Sequence, residues 1–249
     1  MSAKTPFRFQ QFTVRDDRAA MKIGTDAVLL GAWAPIRGAA RILDVGTGCG
    51  IVALMLAQRT VESDSQISAI DIDSNAAQQA VENFASSPWP DRLPSRSPAV
   101  HFSLDEYFQE MKSADQRFDF VVCNPPFFSQ ASHSPSEPRT AARHAEGLPR
   151  ESLFRQVFQL LTDSGRFCLV LPFEQSDATI ALGAKIGFHL WRRTDVRPTP
   201  TSELKRVLLD FGREEAGELE RSELIVETER HQYSDDYASL TKDFHLRYA

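Results

Sequence analysis

Apolar and polar positions along the chain change period repeatedly. Short, nearly unbroken apolar runs read as buried strands, and stretches with an apolar residue every three or four positions read as helices. The runs are RILDV (41–45), QISAID (66–71), AVHF (99–102), RFDFVVC (117–123), GRFCLVLP (165–172), FHLWRR (188–193) and LKRVLLDF (204–211). Between them lie helical patterns at 51–59, at 75–85 with Ser74 as N-cap, at 105–112, at 150–161 and at 174–187, the last closed by Gly187. Such alternation with short connections predicts a parallel, doubly wound sheet. No helix separates the final two strands, so they pair as an antiparallel hairpin. The expectation is an α/β fold of seven strands with the last reversed.

The flanks add smaller elements. FRFQQFTV (7–14) alternates as a small β-element, and TDAVLLGAWA (25–34) reads as a helix capped by Thr25 or Asp26. After the sheet, SELIVET (222–228) offers a strand, and a terminal helix starts behind Ser234. Two Pro/Ser-rich stretches, 86–98 and 127–139, read as loops. The expected organisation is an N-terminal extension over 1–35 and one larger domain over 36–249.

Composition narrows the class. In 249 residues, 42% are apolar and 25% charged, enough for a sizeable core. No run approaches the ~18 apolar residues of a membrane span, and the N-terminus has no secretory h-region. Cys49, Cys123 and Cys168 are far apart and form no metal-ligand spacing, so a cytoplasmic protein without a metal is expected. The net charge of −6 argues against a large nucleic-acid footprint, yet charge is uneven. Lys185, Arg192, Arg193, Arg197, Lys205 and Arg206 face only Asp195 and Glu203 between 185 and 206, whereas 210–230 is strongly acidic.

Chemistry concentrates at two strand ends. LDVGTGCG places Gly46, Gly48 and Gly50 directly after a strand and before a helix, at the edge where open α/β sheets bind ligands. The spacing is not that of dinucleotide enzymes. Asp44 before it would repel a pyrophosphate but suits an ammonium, which points to S-adenosylmethionine. Asp71 ends the next strand, where a carboxylate can take two ribose hydroxyls. This pattern resembles the class I (Rossmann-like) methyltransferases. The resemblance implies that all three glycines line the cofactor, that Asp44 supports the loop, that Asp71 holds the ribose, and that Ile72 packs on the adenine. It also makes Asp105 the candidate for the adenine amino group, with plain helix capping as the equal alternative.

The fourth strand stops on NPPF: Asn124, Pro125, Pro126 and Phe127. An amine conjugated with a ring is a poor nucleophile. Two acceptors aimed at its N–H bonds draw the nitrogen towards sp³ and free the lone pair. Asn124 Oδ1 can be one and the Pro125 carbonyl the other, fixed by the Pro-Pro corner, while Phe127 stacks on the ring. This motif is similar to that of amino-methyltransferases acting on adenine N6, guanine N2 or glutamine amide nitrogen.

More of the chain carries a closer likeness. KIGTDAVLLGAW (22–33), NPPF, AARH (141–144), KRVLLDF and YSDDYASLTKDF, in that order, resemble the bacterial tRNA(Val) adenine-N6 methyltransferases. The resemblance implies methylation of adenine 37, beside the anticodon. It also implies that Thr25 and Asp26 close over the methionine end of the cofactor, with Lys22 and Arg143 near the site mouth. Arg143, Arg192, Arg193, Lys205 and Arg206 are candidates for phosphate contacts in the anticodon loop. The alternatives are a ribosomal RNA guanine-N2 methyltransferase and a protein-glutamine N5-methyltransferase, whose usual extra domains this length disfavours. A monomer is favoured.

Overall fold

A computed structural model describes residues 5–19, 22–36, 38–94, 100–125 and 149–246. In chain order the elements are β1 (Phe7–Arg8), β2 (Thr13–Val14), α1 (Thr25–Trp33), β3 (Arg41–Val45), α2 (Ile51–Arg59), β4 (Gln66–Ile70), α3 (Ser74–Ala85), α4 (Leu104–Ser113) and β5 (Phe118–Cys123). There follow α5 (Arg150–Leu160), β6 (Leu161–Pro172), α6 (Ser176–Ile186), β7 (His189–Arg197), β8 (Arg206–Gly212), β9 (Glu220–Ile225), β10 (Glu227–Glu229), β11 (Gln232–Tyr233) and α7 (Asp235–Thr241). Seven strands form one sheet in the order β4-β3-β5-β6-β8-β7-β9. Only β8 is reversed: it pairs antiparallel with β6 and with β7, while the other pairings are parallel.

The central strands are buried on both faces, which is why they read as unbroken apolar runs. Val122 and Phe120 of β5 meet α1, α2 and α3 on one face, with Leu30, Leu54 and Phe84 in the same core. Val121 and Cys123 meet α4, α5 and α6 on the other, with Phe154, Phe167 and Phe211. Phe9, Phe12 and Val14 of the N-terminal hairpin, and Tyr237 of α7, belong to the first core. Close approach of α1 and α2 needs Gly31, where a Cβ would lie 2.7 Å from Met55 Sδ.

Three expectations are corrected. The run at 99–102 is not a sheet strand in its described part: Val100 O accepts from Asp71 N, and Phe102 N donates to Asp71 O and back to Val100 O, giving a single bridge between Asp71 and His101. Ser103 then starts α4 through a capping box with Glu106, so the segment turns before a ladder can form. The seventh place is taken by β9, parallel to β7 in register Arg192↔Glu220 to Arg197↔Ile225. It overlaps the strand expected at 222–228 but begins at Glu220, in a charged, exposed stretch without apolar period; those charges protect a sheet edge. Caps also differ. Asp73, not Ser74, accepts from Asn75 N and Ala76 N at α3, and Gly24, not Thr25 or Asp26, precedes α1. Asp105 is not the cap of α4 either, because the Ser103 hydroxyl does that work.

Candidate active site

Strand register assembles the site. Val45 faces Ile70 on one side and Cys123 on the other, so the residues that follow, Gly46, Asp71 and Asn124, emerge together at the carboxyl edge. The loop after β3 is pinned by Gly46 N and Thr47 N, both donating to Ile70 O at 2.9 and 3.0 Å. Gly48 N donates to Asp71 Oδ2 at 2.8 Å, and Asp73 N to Asp71 Oδ1 at 2.9 Å. Asp71 therefore fixes the turn and keeps lone pairs on both oxygens for further donors. Burial raises its pKa, opposed by the N–H groups of Asp73 and Gly48. Ile72, beside it, is 62% exposed, an apolar surface at the rim.

The glycines divide the work. Gly46 and Gly48 have φ of 71° and 58°, and a Cβ on either would meet nothing within 4 Å. Open space beside a left-handed backbone is what a close-lying ligand needs. Gly50 also has a packing role. Its Cβ side faces α3, where a Cβ would stand 2.8 Å from Phe84 Cζ, so it serves helix packing and precedes α2.

Asp44 is 1% exposed and accepts from Thr47 Oγ1 at 2.7 Å. Burial pushes its pKa up to about 7, opposed by the Thr47 hydroxyl and the Ala53 N–H. Because the folded value lies above the unfolded one, the proton is held on folding and stability is lost as pH rises from about 4 through 7. Asp44→Asn is expected to remove that slope. Measured by urea unfolding at pH 5 and pH 8, its stability relative to the unsubstituted protein should rise by about 3 kcal/mol across the interval.

Asn124 follows β5 and is half-buried, yet its Oδ1 is fully buried with no hydrogen-bond partner among the described residues. Pro125 is half-buried beside it, whereas Pro126, Phe127 and Arg143 lie outside the described residues. Asp105 sits exposed in the first turn of α4, its carboxylate accepting from Gln156 Nε2 of α5.

Among the described residues, the candidates for RNA contact are divided between the two faces of the sheet and engaged within the protein. Successive residues of a strand point to opposite faces, and Arg192 and Arg193 do so. Arg192 lies 4.5 Å over the Trp33 ring and pairs with Glu220 at 3.0 Å; Arg193 lies over Phe173 and pairs with Asp195 at 2.8 Å. Lys22 Nζ donates to the carbonyls of Asp16 and Ala19. Lys205 is exposed near Glu203, and Arg206 pairs with Asp26. Sequence reasoning also missed Asn83, whose Nδ2 donates to Cys49 O at 2.7 Å and to Arg15 O at 2.8 Å, tying the N-terminal segment to the glycine loop. Its signal was a polar residue beside Ala80 and Phe84 on the apolar stripe of a helix. Among the described residues no cluster of His, Cys, Asp and Glu is placed to hold a metal ion.

A strand-edge glycine loop, an acid after the second strand and an Asn-Pro after the fourth place the chain among the methyltransferases. The methyltransferase small domain family model matches residues 20–177. A tRNA1(Val) (adenine(37)-N6)-methyltransferase of Flavobacterium johnsoniae is 43% identical over 242 residues, covering 97% of this chain and 99% of that one. One of Citrobacter koseri is 42% identical over 240 residues, covering 96% and 94%. An Agrobacterium tumefaciens protein described as a predicted O-methyltransferase shares the fold, with TM-score 0.59 and 19% identity over 88% of this chain and 96% of that one. The chain belongs to the tRNA1(Val) (adenine(37)-N6)-methyltransferase family. It is an enzyme that uses S-adenosylmethionine, and the open face of Gly46 and Gly48, the two oxygens of Asp71 and the exposed Ile72 fit that cofactor.

Proposed function

We propose that this protein methylates N6 of adenine 37 in tRNA(Val). The observation that carries the chemistry is the buried Asn124 Oδ1, without a hydrogen-bond partner among the described residues, at the edge shared with Gly46 and Asp71. A buried acceptor without a donor costs about 1–3 kcal/mol, so it is kept for a donor that arrives. An exocyclic amine supplies one N–H to Asn124 Oδ1 and the other to the Pro125 carbonyl. Phe127 holds the ring. Bound S-adenosylmethionine supplies a methyl group on a sulfonium that leaves without needing a proton. Orientation then carries most of the rate, and the amine proton departs to solvent after transfer.

The choice of adenine and of tRNA(Val) is supported by the full-length likeness to proteins named for that reaction. A base beside an anticodon is already in a loop, where turning it out is cheap. The test is incubation with labelled cofactor and unmodified tRNA(Val), followed by nucleoside mass spectrometry. N6-methyladenosine confined to the anticodon loop is expected; label in guanosine or in protein overturns the reading.

A further inference from the structure

Arg206 stands where sequence reasoning assigned an RNA phosphate, but its surroundings point elsewhere. It opens the reversed strand β8, opposite Pro172 of β6 and Val196 of β7, and so lies at the carboxyl edge. The preceding residue is fixed on both sides: Lys205 N donates to Val196 O at 2.9 Å and Phe173 N to Lys205 O at 3.1 Å. From this frame Arg206 NH1 turns back to Lys205 O, and Nε reaches Asp26 Oδ2 at 2.9 Å, in the first turn of α1. The segment entering that turn is tied by Ile23 N to Asp16 Oδ2 at 3.3 Å, but the turn itself is weakly held among the described residues. Gly24 gives it no side-chain cap, and its first backbone bond, Val28 N to Gly24 O, is a long 3.4 Å. Further along, α1 is locked to α2, with Arg59 NH1 donating to Gly31 O at 2.8 Å. The helix is thus fastened at its far end by α2 and at its near end by the bridge to β8.

We propose that Arg206 is a positioning residue for the cofactor, acting through Asp26 to hold the Gly24–Asp26 turn at the carboxyl edge. This rests on the reading that Thr25 and Asp26 close over the methionine end. The side chains are 32% and 21% exposed, so the bridge is partly shielded from water and works as a local fastener, not as a source of global stability.

Calorimetric titration with S-adenosylhomocysteine tests this, together with transfer kinetics. Arg206→Gln should weaken binding about five- to tenfold and raise KM for the cofactor in step, a coupling of ordinary size. Arg206→Lys, which keeps one donor, should recover at least half of the loss. In an Asp26→Asn background, Arg206→Gln should cost nothing further, because the two act as one unit. Cofactor affinity within twofold of the unsubstituted protein would overturn the proposal, whether or not Tm falls. So would an unchanged penalty in the Asp26→Asn background. A raised KM for tRNA with a salt slope smaller by about one would instead make Arg206 a phosphate contact. The calorimetric arm needs no RNA, so failure to methylate tRNA(Val) would count against the proposed substrate and leave this result standing.

Discussion

Replacement of Asn124 by Ala is expected to lower kcat by about a thousandfold, or about 4 kcal/mol, the scale seen when one preorganised polar group is removed from a reacting centre. S-adenosylhomocysteine affinity should stay within about threefold. The Oδ1 atom is buried and makes no hydrogen bond among the described residues, so its loss removes no bond to them and relieves a desolvation cost. Tm is therefore expected to fall by no more than about 2 °C. Loss of activity with intact folding and intact cofactor binding is the signature of a residue that meets only the amine. A parallel loss of cofactor affinity would assign Asn124 to the cofactor instead.

The second large effect is on the fold. Gly50→Ala puts a Cβ 2.8 Å from Phe84 Cζ at a backbone φ of 84°. Left-handed strain contributes about 1–2 kcal/mol and overpacking about 1–3 kcal/mol. Together these lower Tm by roughly 4–20 °C for a chain of this size. Phe84→Leu in the same chain should restore part of it. Gly48→Ala, two residues earlier, offers the contrast. Its Cβ meets nothing within 4 Å, so Tm should fall by only a few degrees while cofactor binding is obstructed. If Gly50→Ala lost cofactor affinity with Tm unchanged, the division of labour among the glycines would be wrong.

Much of this architecture was legible because the central strands are buried on both faces and their loops carry chemistry in short motifs. Asp44, Gly46, Asp71 and Asn124 could each be placed from a strand end alone, since register turns neighbouring strand ends into one site. What escaped has physical causes. The strand expected at 222–228 starts earlier, at Glu220, and joins the main sheet; its exposed first residues, Glu220, Arg221, Ser222 and Glu223, carry no apolar signal to show either. The AVHF run had the composition of a strand but too little length before the Ser103 cap. Gly50 looked like its two neighbours, and only the Phe84 ring across from it shows that its missing side chain serves packing. The arginines read as phosphate ligands because their partners, Glu220, Asp195 and Asp26, lie 28, 2 and 180 residues away and only one of them is visible locally.

The N-terminal hairpin is fastened to the other end of the chain. Gln10 N donates to Phe244 O at 2.9 Å, Gln10 Nε2 donates to the carbonyls of Lys242 and His245, and Gln58 Nε2 donates to Asp243 O at 2.7 Å. The hairpin is therefore held on two sides, by residues 242–245 and, through Arg15 and Asn83, by the core behind the glycine loop. Loosening residues 242–245 would thus be felt across the molecule, at the glycine loop that Asn83 anchors through Cys49 O.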